Sequence, residues 1–256
     1  KKTRFNAGFF IYEMDIINIT YIWILIALIV LPINLIYKAP YGKHSTKKWG
    51  KSIDNKTGWI LMELPALLTC PLIYFTITEE INLNVVFIVL WITHYLNRTV
   101  IYPLRIKTKG KKIPIAIVAS AFFFNMVNGI LNGYFLTLLQ FESISELYLI
   151  LGFIIFIIGF YINISSDNLL IKLRTNQKGY VIPNGKLFNY VSCPNFFGEI
   201  IEWLGFAIMT LNPGSLSFLI WTICNLIPRS KAHHKWYKEN FENYPKKRKA
   251  VIPYLL

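Results

Sequence analysis

Seven apolar runs leave this chain few ways to fold. They lie near 17–37, 59–78, 83–103, 113–140, 145–171, 196–212 and 214–228. A bilayer's hydrocarbon core is about 30 Å thick, which a helix crosses in roughly 20 apolar residues. The runs lack the polar face of a soluble helix, so they predict transmembrane helices. The last two are short and joined by the tight-turn sequence "NPGS" (212–215), as in a helical hairpin. The expected fold is therefore all-α: one polytopic membrane domain over 1–256 with seven transmembrane helices. Composition agrees, since 54% of the 256 residues are hydrophobic.

A formal net charge of +14 would point to nucleic acid in a soluble protein. Here the Lys and Arg residues crowd alternate loops: "YKAPYGKHSTKKWGKSIDNK" (37–56), "LRIKTKGKK" (104–112), "KLRTNQKGYVIPNGK" (172–186) and the tail after Arg229. The intervening turns "TITEEIN", "FESISE" and "NPGS" carry no Lys or Arg. By the positive-inside rule the basic loops and the C-terminus are cytoplasmic and the N-terminus is outside. The first apolar run has no suitable small-residue cleavage site and is read as a retained span. The expected setting is a bacterial inner membrane, with no nucleic-acid partner and a monomeric state. The tail from Arg229 interleaves aromatics with Lys and reads as an amphipathic helix lying against the membrane or the loops. Cys70, Cys193 and Cys224 are far apart and read as small packing residues.

Polar side chains inside spans are functional candidates, because burying them in lipid is expensive. Glu63 sits in "GWILMELPALL". His94, Tyr95, Asn97, Arg98 and Tyr102 sit in "WITHYLNRTVIY", with Tyr95, Arg98 and Tyr102 on one face. Asn125, Asn128 and Asn132 form a stripe that serves equally well as helix glue. Asn163, Asp167 and Arg174 form a further stripe, and Asn195, Glu199 and Glu202 another, with the two glutamates spaced to face one side. Together these stripes predict a polar cavity toward the cytoplasmic helix ends. Neither a dinucleotide-binding nor a P-loop glycine motif is present, nor H-E-x-x-H or G-x-S-x-G. The neighbours His233 and His234 diverge by about 100° on a helix and cannot chelate one metal, so no metal is expected. Under basic loops, such a cavity suits a phosphorylated cytosolic cofactor: cations for phosphates, carboxylates and amides for ribose hydroxyls and a carboxamide.

The chain resembles the steroid 5α-reductase family. The matching stretches are "YGKHS" (41–45), "ELP" (63–65), "HYLNRT" (94–99), "NGILNGY" (128–134), "NISSD" (163–167), "YVIPNGKLFNYVSCPNFFGEIIEW" (180–203), "RSKAHHKWY" (229–237) and "YPKKRKAVIPYLL" (244–256). The resemblance implies NADPH-dependent reduction of the Δ4 double bond of 3-oxo-steroids, with Glu63 and Tyr95 as the catalytic pair. It also implies a cofactor set of Asn163, Asp167, Arg174, Tyr180, Asn195, Glu199, Glu202, Arg229, His233 and Tyr237, with Lys43 and Lys109 as further phosphate partners. The substrate would be a steroid or another apolar enone held within membrane lipid.

Three other readings compete. A trans-2-enoyl-CoA reductase would use the same cofactor site. Isoprenylcysteine methyltransferases share a comparable C-terminal region, but typically read Arg-His-Pro where this chain has Ser192-Cys193-Pro194, and a Glu pair at His233-His234. A transporter with proton-relaying carboxylates would show an internal repeat or paired broken helices, and the sequence offers neither.

Overall fold

In the computed structural model, residues 2–37, 49–78, 81–108, 110–176 and 179–256 are described, with side chains from residue 14 onward except at 176. Lys43 and Lys109 lie outside the described residues. Helices form at all seven expected places: α1 (Lys2–Ile36), α2 (Asn55–Ile77), α3 (Val85–Arg105), α4 (Ile115–Thr137), α5 (Glu146–Asn176), α6 (Pro194–Thr210) and α7 (Pro213–Asn240). Among the described residues, five are long and apolar enough to cross a membrane: α1 from Met14, α2, α3, α4 and α5. The 17 residues of α6 fall short of the usual bilayer span, and the second half of α7 is polar. The chain is an all-α polytopic membrane protein. A two-stranded antiparallel pair, β1 (Ser52–Asp54) with β2 (Lys112–Pro114), ties together the loops before α2 and α4. Asp54 also caps α2, accepting hydrogen bonds from Lys56 N at 2.9 Å and Thr57 N at 3.3 Å.

Glycines set two of the helix contacts. Gly152 and Gly159 of α5 meet Gly205 and Gly198 of α6, both pairs being spaced by seven residues. A Cβ at Gly198 would stand 2.5 Å from Asn163 N and 2.7 Å from Gly159 O; one at Gly205 would stand 2.5 Å from Gly152 O. Small residues let membrane helices approach closely enough to gain dispersion contacts. Here the approach also brings Asn163 of α5 within reach of α6. On α4, Gly133 meets α2 in the same way, against Cys70 O. Gly198→Ala is expected to lower stability by about 1–3 kcal/mol through overpacking. Thermal melting in detergent checks this; an unchanged melting temperature would show that the seam has slack.

Prolines lie inside four of the described helices, and at two of these sites a neighbouring helix meets the freed carbonyl. In α3 a π-helical segment, Asn97–Ile101, precedes Pro103, and Tyr102 N donates to Asn97 O. In this register Arg98 O would look to Pro103, which has no N–H, and Trp59 Nε1 of α2 supplies the donor at 3.0 Å. Pro228 in α7 likewise leaves Cys224 O open, and Asn34 Nδ2 of α1 reaches it at 3.5 Å.

The tail corrects an expectation. Rather than starting a separate amphipathic helix at Arg229, α7 runs unbroken through Pro228 to Asn240. The chain then folds back through a series of turns: Ser192 N donates to Lys249 O at 2.9 Å, Lys249 N to Tyr190 O at 2.8 Å and Cys193 N to Ala250 O at 3.1 Å. Backbone hydrogen bonds and burial of Val251 against Cys193 and Leu226 outweigh docking on a surface.

Candidate active site

The inward face of α3 carries the chemistry. Trp91, His94, Tyr95 and Arg98 are buried and follow one another down the helix, while Tyr102 is half-buried. The Tyr95 ring rests against Trp91 (centroids 4.9 Å), with the His94 ring edge-on at 5.0 Å. Trp203 and Phe218 close the aromatic cage, and Trp91 is fixed by its Nε1 bond of 2.7 Å to Ala66 O. Glu63, Glu199 and Arg98 lie within electrostatic range of the Tyr95 hydroxyl.

Arg98 is the hub of the buried charges. Its Nε lies 3.8 Å from Glu63 Oε1, NH1 3.9 Å from Asp167 Oδ2 and NH2 3.6 Å from Glu199 Oε2. The four groups come from α3, α2, α5 and α6, so one guanidinium joins four helices. Its plane sits over Trp59 at 4.9 Å and Tyr102 at 5.8 Å. Amides hold the carboxylates from outside: Asn125 Nδ2 donates to Glu63 Oε2 at 3.2 Å, Asn163 Nδ2 to Glu199 Oε2 at 3.3 Å and Asn195 Nδ2 to Asp167 Oδ1 at 3.0 Å. Asn125 therefore belongs to the site, whereas Asn128 and Asn132 bond helix backbone and Trp23, as glue would.

Glu202 faces elsewhere. Three residues along a helix is a turn of about 300°, which leaves 60° between side chains. That difference sends Glu199 to Arg98 and Glu202 to His94, where Nδ1 and Oε1 share a hydrogen bond of 2.8 Å. Glu202 is fully buried and does not line the cleft described next.

Above the Arg98 cluster a cleft opens among the basic loops. Arg98, Tyr102, Arg174, Tyr180, Asn195, Arg229, His233 and Tyr237 line it, so six of the expected cofactor residues share one wall system with the hub and Tyr102. Lys107 and Lys111 line it too, and the sequence had not singled them out; Lys111 Nζ donates to Tyr180 OH at 2.6 Å across its mouth. Burial pulls the Arg229 guanidinium down to about 10, so it stays charged at neutral pH. Asn163, Asp167 and Glu199 sit just beneath, bonded to or beside Asn195. Asp167 Oδ2 is buried, 3.9 Å from Arg98 and without a hydrogen-bond partner. A donor from a bound group would complete it.

At the cleft wall, Ser192 Oγ meets His234 Nδ1 and Tyr244 OH, both at 2.6 Å, and donates to Lys249 O at 3.0 Å. Since Ser192 has one proton to give and spends it on a carbonyl, the other two groups donate to it. Tyr244 stacks on Tyr237 of the cleft wall (5.4 Å, 8°), which links the folded-back tail to the site. Burial, then the charges of Lys238, Arg248 and Lys249, push His234 down to about 4 from its ordinary 6.5. Its stabilising contribution is thus complete above about 6.5 and is lost as pH falls toward about 4, because the unfolded chain takes up the proton first. His234→Gln is expected to flatten the fall in melting temperature between about pH 7 and 5. An identical fall in both proteins would contradict that.

Four carboxylates, two buried and two half-buried, with a guanidinium, an imidazole and a phenol beneath a basic cleft make this helical bundle an integral membrane enzyme. Residues 111–256 match the family model for 3-oxo-5-alpha-steroid 4-dehydrogenase. The chain is 41% identical over 230 residues to steroid 5-alpha-reductase DET2 of Arabidopsis thaliana, across 85% of this chain and 88% of that one. It is 37% identical over 226 residues to 3-oxo-5-alpha-steroid 4-dehydrogenase 1 of Mus musculus (84% and 87%), and 34% over 223 to the Homo sapiens protein of that name (84% and 85%). The chain belongs to the 3-oxo-5-alpha-steroid 4-dehydrogenase family and is an oxidoreductase.

Proposed function

We propose that this protein reduces the Δ4 double bond of 3-oxo-Δ4-steroids to 5α-dihydrosteroids, with NADPH as the reductant. The observation that carries this reading is Tyr95, buried in an aromatic cage within electrostatic range of Glu63 and Arg98 and below a cleft lined with cations. The names of its relatives, steroid 5-alpha-reductase and 3-oxo-5-alpha-steroid 4-dehydrogenase, supply the substrate class.

Hydride addition to C5 of the enone drives negative charge onto the C3 oxygen. The Tyr95 hydroxyl donates a hydrogen bond to that oxygen, and donors already in place need not reorganise as charge develops. Glu63 orients this end of the site, itself held by Asn125 and Arg98. Arg174, Tyr180, Arg229, His233 and Tyr237, with Lys111, would hold the phosphate-bearing part of the cofactor. Asn163, Asp167, Asn195 and Glu199 would hold its ribose and carboxamide, and the unpartnered Asp167 Oδ2 fits a hydroxyl or amide donor. The reduced nicotinamide supplies the hydride. Glu202 contributes through His94.

The cleft opens toward the cytoplasm, under the basic loops, with the N-terminus on the opposite face of the membrane and the protein working as a monomer. Purified protein in detergent, given NADPH and progesterone or testosterone, is expected to oxidise the cofactor and yield the 5α-dihydro product. Turnover of a trans-2-enoyl-CoA with none of any 3-oxo-Δ4-steroid would overturn the assignment.

A further inference from the structure

The His94–Glu202 pair stands outside the lining of the cleft. His94 and Glu202 are 3% and 0% exposed, joined at 2.8 Å, and Glu202 Oε2 has no hydrogen-bond partner. The backbone of α6 at Glu202 packs directly on Gly159, so the pair is sealed from that side. An ionised carboxylate with an open oxygen is costly in such a place, whereas a pair that keeps one shared proton is electrically neutral. The charged or titratable groups within range are Glu63 of α2, Tyr95 and Arg98 of α3 and Glu199 of α6. Tyr95 is the neighbour whose ring His94 touches.

Reduction of an enone consumes one proton per turnover in addition to the hydride, and this site is closed to bulk water around Tyr95. We propose that His94 and Glu202 are the proton reserve behind Tyr95. This inference rests on the reductase reading above. Hydride from the reduced nicotinamide forms the new C–H bond as the C=C electrons shift to give the enolate. The enolate oxygen takes the Tyr95 proton, giving the enol that becomes the saturated ketone. The tyrosinate oxygen then takes the proton held by the pair, and one proton from solvent resets His94–Glu202. His94 and Glu202 act through Tyr95 and are positioning and relay residues rather than groups that touch substrate.

The test uses Glu202→Gln, which keeps shape and an acceptor oxygen but cannot share an acidic proton, beside His94→Gln. Both are expected to keep the melting temperature and NADPH affinity of the wild type within about threefold while kcat falls by about 10²-fold or more. The D2O solvent isotope effect on kcat should rise, and the isotope effect from NADPH doubly deuterated at nicotinamide C4 should shrink, as proton delivery becomes rate-limiting. Wild-type kcat in Glu202→Gln, or a loss of kcat with both isotope effects unchanged, would reduce the pair to packing and overturn the proposal. Should His94→Gln fail to fold, the isosteric Glu202→Gln decides alone. Failure of the reductase reading shows separately, as an inactive wild type with steroid. If the wild type turns over an enoyl-CoA instead, the same variants and isotope effects apply, since its α-carbon also needs a proton.

Discussion

Arg98→Met is expected to remove most of the protein's stability. The substitution keeps length and apolar stem but leaves Glu63, Asp167 and Glu199, all within 3.9 Å of the guanidinium, without their cation. Losing one partner of a buried ion pair typically costs about 3–5 kcal/mol, because the remaining charge is stranded. Here three carboxylates on three helices lose the same partner. The melting temperature in detergent should fall by about 10 °C or more, if folded protein is recovered at all. Arg98→Lys should fall in between, since an ammonium restores charge without the fork that reaches three ways. A melting temperature within about 2 °C of wild type for Arg98→Met would show that the carboxylates are neutral and the hub dispensable.

Tyr95→Phe is expected to have the largest effect on turnover with the least on the fold. The phenyl ring retains the contacts to Trp91, His94 and Trp203 that hold it. Only the hydroxyl is lost, and with it the donor assigned to the carbonyl oxygen. Removing one preorganised donor to a developing oxyanion typically lowers kcat by about 10²–10³-fold. NADPH affinity should stay near wild type, because Tyr95 does not line the cleft that holds Arg174, Arg229 and Tyr237. If cofactor affinity collapsed with kcat, Tyr95 would belong to the cofactor site and the assignment would be wrong.

The first five helices were legible from sequence because their apolar runs reach bilayer length; the two shorter runs were legible through the "NPGS" turn, where Asn212 caps Ser215 N at 2.9 Å and marks the hairpin between α6 and α7. The site was legible as stripes: the helical spacing of Asn163 and Asp167, and of Asn195 and Glu199, placed those four side by side. Spacing misled at Glu202, where 60° of helix rotation was enough to change partners from Arg98 to His94. The π segment at Asn97–Ile101 has no signature in hydropathy; Pro103 was its only mark in the sequence. The glycines at 152, 159, 198 and 205 were visible, but their register across two helices is a property of packing. Ser192, His234 and Tyr244 meet only because the tail folds back, which no local pattern encodes.

The central claim is hydride delivery to C5 of a 3-oxo-Δ4-steroid above Tyr95. Mass spectrometry and NMR of the product formed from progesterone and NADPH doubly deuterated at nicotinamide C4 read it directly. The account predicts a single deuterium at C5, on the α face, in 5α-dihydroprogesterone. Deuterium at C4, on the C3 carbinol carbon or nowhere in the steroid would contradict it.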